Sequence, residues 1–225
     1  MARPLNRERG KTRTLVLHSA TKLFIENGYT NTRIKDIASD SGVGYNEIFR
    51  MFTDKDTLLS HLVDLVIEHQ FEVSKNVLSN ITNDELFLYV FESVLQLYIT
   101  ELNENIREMY AVSYSLPSTS HKIYDYFSSK IETIFKKYLP EYETKDFYEL
   151  EIATAGIMRG FIINPCNMYF TIDRKVQRFI RTTLKIYEVP REKIEEVIAF
   201  IESFDMKAYA EGVVATLYEY ISDRT

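Results

Sequence analysis

The chain has 225 residues, a net charge of −6 at pH 7, seven glycines, five prolines and one cysteine. This scarcity of helix breakers, with abundant Leu, Ile, Glu and Lys, favours an all-α protein that buries a substantial core. The single Cys166 excludes an intramolecular disulfide framework and a multi-cysteine zinc site, and no apolar run approaches the ~18 residues of a membrane span, so we expect a cytoplasmic protein without membrane contact.

Charge divides the chain into a basic start and an acidic remainder. Residues 1–55 hold ten Lys or Arg against six acidic residues, a balance of +4, whereas residues 56–225 balance at −10. This distribution is typical of a small DNA-binding domain joined to a larger partner-binding domain. We expect a DNA-binding head at 1–55 and a helical ligand-binding and dimerisation body at 56–225. A solvated basic tail is the alternative, because five of the ten basic residues lie within residues 3–13.

The first helix is expected from about Thr12 to Asn27, where apolar residues recur on one face. Residues 1–11, rich in Arg and Lys, are expected to form a disordered arm. Gly28 follows the helix as a C-terminal cap. Thr32 is expected to be the N-cap of a second helix, whose first N–H groups would be free to meet a phosphate.

The segment from Thr32 to Phe52 has the pattern of two short helices joined by a tight turn. Ala38 is small where the helices cross, Gly42 takes the positive φ of the turn, and Ile48 returns the second helix to the core. The opposite face carries side chains that can reach base edges or phosphates, namely Tyr45, Asn46, Glu47 and Arg50. The pattern indicates a helix-turn-helix whose second helix enters a DNA major groove. An ordinary helical hairpin is the alternative.

A long helix is expected next, starting within Thr53 to Asp56 and running to about Leu78. It has too many apolar residues for a surface helix, so we expect it to join head and body as one rigid rod. Proline and asparagine residues mark the breaks between the helices of the body. These helices are expected near 83–103, 105–116, 118–139, 144–163, 172–187, 190–203 and 206–222.

Small residues share one face on two of the body helices. Glycine inside a helix costs ~1 kcal/mol relative to alanine, so it usually marks the close approach of another backbone. We expect these faces to form a homodimer interface, and a tight contact inside one subunit is the alternative. The residues are Ala153, Gly156 and Gly160 in the helix near 144–163, and Ala208, Gly212 and Ala215 in the last helix.

The body is also rich in aromatic residues, some of them at helical spacing. Such a stripe is more often core than ligand site, but a pocket of Tyr and Phe with a few polar tips suits a flat or cationic apolar molecule. We expect a small-molecule effector between the long helix and the helices that follow it. The candidate ligand-binding residues are Phe91, Leu95, Tyr98, Tyr110, Tyr114, Met158 and Phe161.

The sequence offers little support for catalysis. The four histidines are scattered, and His61 and His69 lie two turns apart, too far for the i, i+4 pair of a helix-borne zinc site. There is no glycine-rich phosphate loop and no nucleophile elbow. We expect no enzymatic activity, no cofactor and no metal.

Residues 12–59 resemble the TetR family of bacterial one-component regulators. The matching segments are ATKLFIENGY at 20–29, TRIKDIA at 32–38, SGVG at 41–44, IFRMF at 48–52 and KDTLL at 55–59. The resemblance implies an all-α homodimer with paired three-helix heads on larger helical bodies. It also implies that a ligand entering the body changes the distance between the two heads and releases the DNA operator.

The resemblance assigns roles to individual residues. Thr32 and Lys55 correspond to phosphate-contacting positions, and Tyr45, Asn46 and Glu47 match the base-reading start of the recognition helix. The full set of expected DNA-binding residues is Thr32, Arg33, Lys35, Gly44, Tyr45, Asn46, Glu47, Arg50 and Lys55.

Three positions depart from the family's pattern. Gly44 stands where a Ser or Thr usually caps the recognition helix. Phe49 replaces a Tyr, and Met51 a His, that commonly contact the DNA backbone. These departures lower the expected affinity for DNA. Glu47 repels phosphate, although a carboxylate can accept from cytosine N4.

The sequence therefore predicts a ligand-responsive transcriptional regulator, in the form of a repressor. It would bind an inverted-repeat operator in double-stranded DNA as a homodimer and be released by a small apolar or aromatic effector. The alternative is a TetR-fold adaptor that acts through a partner protein, with weak or no DNA binding.

Overall fold

The structure, a computed structural model, describes residues 4–225, with side chains from Gly10 onward. In that range the chain forms eleven helices and no strand, which confirms the all-α prediction. The helices are α1 (Pro4–Asn27), α2 (Ile34–Ser41), α3 (Tyr45–Phe52), α4 (Lys55–Leu78), α5 (Glu85–Leu102), α6 (Glu104–Ser113), α7 (Pro117–Phe135), α8 (Thr144–Ile162), α9 (Ile172–Ile186), α10 (Arg191–Glu202) and α11 (Met206–Arg224).

The predicted disordered arm is wrong for the residues that the structure describes. Helix α1 begins at Pro4, not at Thr12. Proline is favoured in the first turn of a helix because it has no N–H group to leave unpaired there. The residues that follow it are mostly good helix formers, and charge alone does not prevent a helix. Residues 1–3 lie outside the described part of the chain.

The head packs α1, α2 and α3 around one small core. Phe24 of α1, Ile37 of α2, and Ile48 and Phe52 of α3 are almost completely buried, as the periodicity predicts. Gly42 ends α2 with a φ of +69°, and a Cβ added there would meet nothing within 4 Å. The glycine is therefore required by the backbone conformation of the turn and not by a lack of space.

The long helix α4 starts directly after the head, as predicted. Asp54 is its N-cap, since its side chain accepts from the N–H of Thr57 at 2.7 Å. Helix α5 lies at the centre of the body, in contact with α4 and with every helix from α6 to α11. No helix in the described part of the chain is long and apolar enough to cross a membrane.

Candidate DNA-binding and ligand sites

Helix α3 presents one face to the core of the head and the other to solvent. Ile48 is buried, whereas Tyr45, Asn46, Glu47 and Arg50 are exposed. The Nε of Arg50 donates to the carbonyl of Asn46 at 3.3 Å, and the rest of the guanidinium projects from the helix. The side chains predicted to read bases therefore share one open face of α3.

The N-terminus of α3 has no side-chain cap. Gly44 is the N-cap residue, and it has no side chain to accept from the N–H groups of the first turn. Glu47 lies in that first turn, where its negative charge interacts favourably with the positive end of the helix dipole and stabilises the helix. The carboxylate thus has a structural role in α3, although it repels phosphate.

Phe49, one of the three departures from the family's pattern, affects the surface of α3. The Phe49 ring is 51% exposed and stacks on the Tyr45 ring, with a centroid distance of 6.4 Å and an angle of 21°. Met51 is partly buried against the core of the head. Helix α3 therefore carries an exposed aromatic pair next to its polar side chains.

Thr32 does not occupy the position that the sequence predicted. The N-cap of α2 is Arg33, and Thr32 is 1% exposed. Its hydroxyl donates to the carbonyls of Leu23 and Gly28, at 3.1 and 2.8 Å. The predicted N-cap role of Thr32 is therefore wrong. Because its hydroxyl already forms hydrogen bonds inside the head, Thr32 fixes the turn between α1 and α2. Arg33 and Lys35 are exposed beside it.

Lys55 also fixes this turn. Its Nζ donates to the carbonyls of Tyr29 and Thr32 at 2.8 and 3.0 Å, and it lies 4.1 Å from the centre of the Tyr29 ring. Burial lowers the pKa of Lys55, against the attraction of Asp56 and Glu108. An ammonium group has three donors, so one N–H remains for a phosphate.

Lys55→Ala is expected to weaken binding to all DNA sequences alike and to cost about 1–2 kcal/mol of stability, because two charge-assisted hydrogen bonds are lost. Lys35→Ala is the matched control, since Lys35 is exposed on α2. It should lower DNA affinity without changing stability. Thermal unfolding and DNA titration of both variants measure the two effects. Equal stability of the two variants would contradict the role of Lys55 in the turn.

A narrow apolar cavity lies between the long helix α4 and helix α6. Its walls include Leu62, Val66 and Gln70 of α4, Tyr110 of α6, and Tyr114, which follows α6 directly. The space open to the centre of a water molecule is about 30 Å³, so the cavity has to widen for any larger guest. We call it the inner cavity.

A second cavity adjoins the inner cavity and shares Gln96 and Tyr114 with it. Its lining combines aromatic rings with two carboxylates, those of Glu92 on α5 and Glu151 on α8. We call it the acidic cavity. Sequence reasoning missed both acids, although a Glu within the apolar run of α5 was a signal of an unusual buried position.

The seven predicted ligand residues divide between cavity and core. Tyr110, Tyr114 and Met158 line the two cavities. The other four, namely Phe91, Leu95, Tyr98 and Phe161, line neither of them. Phe91 contacts the rings of Phe204 and Tyr209, and Phe161 those of Phe170 and Phe179. All four pack in or against the hydrophobic core, which favours the core interpretation for them, and their role in ligand binding stays a prediction.

The small-residue faces of α8 and α11 lie at the surface. A Cβ added at Gly156, Gly160 or Gly212 would meet nothing within 4 Å. The predicted alternative, a tight contact inside one subunit, is therefore wrong for these glycines. Ala153, Ala208 and Ala215 are exposed as well.

The face on α8 is the more apolar of the two. Ile152 and Ile163 are each 43% exposed and stand in line with the glycines of this helix. The stripe is followed in the loop after α8 by Met168 and Tyr169, which are about four-fifths exposed. The face on α11 has charged neighbours instead, including Lys207 and Glu211, which pair with each other at 3.7 Å.

Helix α6 holds the end of α1. The side-chain amide of Asn105 donates to the carbonyls of Ile25 and Glu26, each at 3.0 Å. Glu108 accepts from the backbone N–H of Thr30 at 3.1 Å. The two bonds from Asn105 satisfy carbonyls that the last turn of a helix leaves without intrahelical partners, and the bond from Thr30 to Glu108 ties down the chain that follows α1.

Gly28 lies at this contact between head and body. Its φ is +85°, and a Cβ there would overlap Oε2 of Glu108 and lie 3.1 Å from Oδ1 of Asn105. Helix α11 adds a second contact, because Nε2 of His18 hydrogen-bonds the carbonyl of Tyr218 at 2.9 Å. In the described part of the chain, no group of three or more His, Cys, Asp or Glu side chains is placed to hold a metal ion.

Comparison with known protein families gives a match in the first part of the chain. The profile of the bacterial regulatory proteins of the tetR family matches residues 16–62, which cover α1 from Val16, all of α2 and α3, and the start of α4. No curated protein matches the chain.

Proposed function

We propose, from the premise that this chain carries the helix-turn-helix head of TetR-family transcription regulators, that it binds an inverted-repeat operator as a homodimer and is released by a small-molecule effector. One observation carries this proposal. The walls of the inner cavity come mainly from α4 and α6, and these two helices also meet the head.

The exposed face of α3 supports direct reading of DNA. We propose that Tyr45, Asn46, Glu47 and Arg50 lie in the major groove. Arg33, Lys35 and Lys55 would meet phosphates on either side, together with the free backbone N–H groups at Gly44 and after it. A dimer would place two such helices about one helical turn of DNA apart, ~34–36 Å, which predicts the inverted repeat.

We propose that the dimer forms through the small-residue faces, with α8 as the main contact. An exposed apolar stripe marks a protein interface more often than a free surface. The stripe on α8 combines glycines, which allow close approach of a second helix, with Ile152 and Ile163. The face on α11 would form a secondary contact.

Release of DNA would follow from the position of the cavity. A guest in the inner cavity has to push α4 and α6 apart, because the open space holds little more than water. Packed helices move as units and do not deform gradually. Displacement of α6 would pull on the bonds from Asn105 and Glu108 to the end of α1. By linkage, operator DNA must weaken effector binding by the factor that the effector weakens DNA binding.

Asn46→Ala and Arg50→Ala are expected to change sequence preference. Each good base contact contributes ~1–3 kcal/mol, so the ratio of affinities for operator and random DNA should fall roughly tenfold or more. Lys35→Ala should weaken both affinities equally. DNA selected for tight binding in vitro supplies the operator. An unchanged ratio in both variants would contradict the groove assignment.

A second candidate function has one observation in its favour. The exposed Tyr45 and Phe49 pair resembles a protein-docking surface, which fits the adaptor alternative. Mixing the protein with DNA from immediately upstream of its own gene at moderate salt separates the two. A mobility shift that depends on Arg50 supports the regulator, and its absence supports the adaptor.

A further inference from the structure

The acidic cavity holds two carboxylates that are almost fully buried. Glu92 is 2% exposed and Glu151 is 5% exposed. Oε1 of Glu92 accepts from the side-chain amide of Gln96 at 2.7 Å. Oε2 of Glu151 lies 3.5 Å from the hydroxyl of Thr154, whose single proton is also within reach of the Leu150 carbonyl at 3.0 Å. Neither acid has an ion-pair partner within 4 Å in the described part of the chain.

Burial makes the charged forms of both acids unfavourable. It raises the pKa of Glu92 to about 7, against the amide of Gln96 and the positive charge of Lys130. Burial also raises the pKa of Glu151, and the charge of Glu92 adds to the rise. The tyrosines that face the acids, Tyr89, Tyr110, Tyr114 and Tyr187, bring no positive charge. A cation inside the cavity would offset the cost of charging either acid, because it stabilises the carboxylate form.

The inner cavity also contains a buried hydrogen-bond acceptor that lacks a donor in the described part of the chain. The amide of Gln70 donates to the Tyr110 hydroxyl, but its oxygen Oε1 is buried and has no hydrogen-bond partner among the residues that the structure describes. Gln70 is 1% exposed and lines the inner cavity. A buried acceptor without a donor is costly, so this oxygen points to a donor that a guest would bring.

Aromatic rings surround the same space. Tyr89, Phe127 and Phe179 line the acidic cavity together with the two acids. Glu92 also borders an outer cleft where Nζ of Lys130 lies 3.5 Å from the centre of the Phe71 ring and 3.7 Å from that of Tyr126. This side of the body therefore already holds one ammonium group between aromatic faces, which is how proteins bind organic cations.

We propose that the two adjoining cavities form the site of a hydrophobic organic ammonium ion, with Glu92 and Glu151 as its counter-charges and Gln70 as a hydrogen-bond acceptor. This inference rests on the proposed function of the body as an effector domain and specifies the chemical class of the effector. The aromatic walls hold its apolar part. When such a cation binds near neutral pH, each of the two acids that ionises as its counter-charge releases its proton to solvent, because the ammonium group stabilises the carboxylate.

A matched pair of probes tests the charge requirement. The full-length protein is titrated calorimetrically at pH 7 with 1-naphthylmethylamine, a cation, and with 1-naphthylmethanol, a neutral molecule of nearly the same shape. The amine is expected to bind at least about tenfold more tightly. Its measured heat should differ between buffers of different ionisation enthalpy, because a proton is released. Glu92→Gln combined with Glu151→Gln should bring the two affinities together, whereas Glu149→Gln, an exposed acid on α8, should leave the ratio unchanged.

Equal affinity of the two probes for the unaltered protein, or no binding of the amine, would overturn the proposal. A preference for the amine that survives the double substitution would overturn it as well. Because Gln keeps the size of Glu, circular dichroism of the variant verifies that the fold is retained. Operator release is measured separately. An amine that binds at the acids without weakening DNA binding supports the cation site and counts against the effector role in the proposed function.

Discussion

Glu92→Gln is expected to raise the free energy of unfolding by about 3 kcal/mol at pH 8 and to change it little near pH 4. The pKa of Glu92 is raised from 4.5 to about 7 in the folded protein. As the pH rises from 4.5 to 7, the unfolded chain releases this proton while the folded chain keeps it, so the folded state loses stability. The interval corresponds to about 3 kcal/mol, and glutamine has no such loss.

Urea unfolding of both proteins between pH 5 and pH 8 measures this difference. The gap should widen from pH 5 to pH 7 and stay constant above it, since both states are then ionised. Glu149→Gln serves as the control, because Glu149 is exposed on the same helix as Glu151. A gap of the same size at every pH would show that the substitution acts through packing and not through charge.

Gly156→Phe is expected to produce monomers and to lower operator affinity by about 100-fold or more. Linked half-sites gain about 10²–10⁴ in affinity from simultaneous binding, and a monomer loses this gain. Among the described residues, no atom beyond the neighbouring residues and backbone of α8 lies within 4 Å of a Cβ at Gly156, so the phenyl ring has room inside the subunit. Its only steric conflict would be with a second copy packed on α8.

Sedimentation at several protein concentrations and titration of the operator measure the two effects. Ala199→Phe, at an exposed position of α10, is the matched control and should keep the dimer. Gly212→Phe tests the face on α11, where we expect a smaller effect. An unaltered dimer in Gly156→Phe would remove α8 from the interface. Circular dichroism tests whether the variants still fold. We expect their helical content to be unchanged.

Helix positions could be predicted from the sequence because local residues determine them. Asp54 caps α4, Gly42 turns the chain after α2, and Pro117 starts α7, all within a few residues of the elements that they define. The contents of the head core followed from helical periodicity for the same reason. The start of α1 and the N-cap of α2 are exceptions, because positive charge does not by itself indicate disorder and the Thr32 hydroxyl bonds elsewhere in the head.

The direction of a side chain is a different matter, since it depends on contacts distant in the chain. Thr32 and Lys55 are 23 residues apart, yet the ammonium of Lys55 bonds the carbonyl of Thr32. A match to the family's pattern indicates the position of each residue but not its partners. The roles of Thr32 and Lys55 in stabilising the turn could therefore be seen only in the structure.

The acids of the body were missed for a related reason. Helical spacing can place Glu92 on α5, but α5 is surrounded by helices on nearly all sides, so most of its residues are buried whichever face they share. The aromatic residues drew attention to four positions that belong to the core. The few polar residues buried in the body mark the cavities more reliably than the aromatic rings do.

The contact at Gly28 has a consequence for the construction of hybrid regulators. Helix α1 ends against Asn105 and Glu108 of α6, with no room for a side chain on the glycine between them. A head transplanted as residues 1–55 would leave these partners behind and would face a foreign α6. A hybrid should therefore exchange the head together with α6, which binds the end of α1, although more than forty residues of chain separate the two.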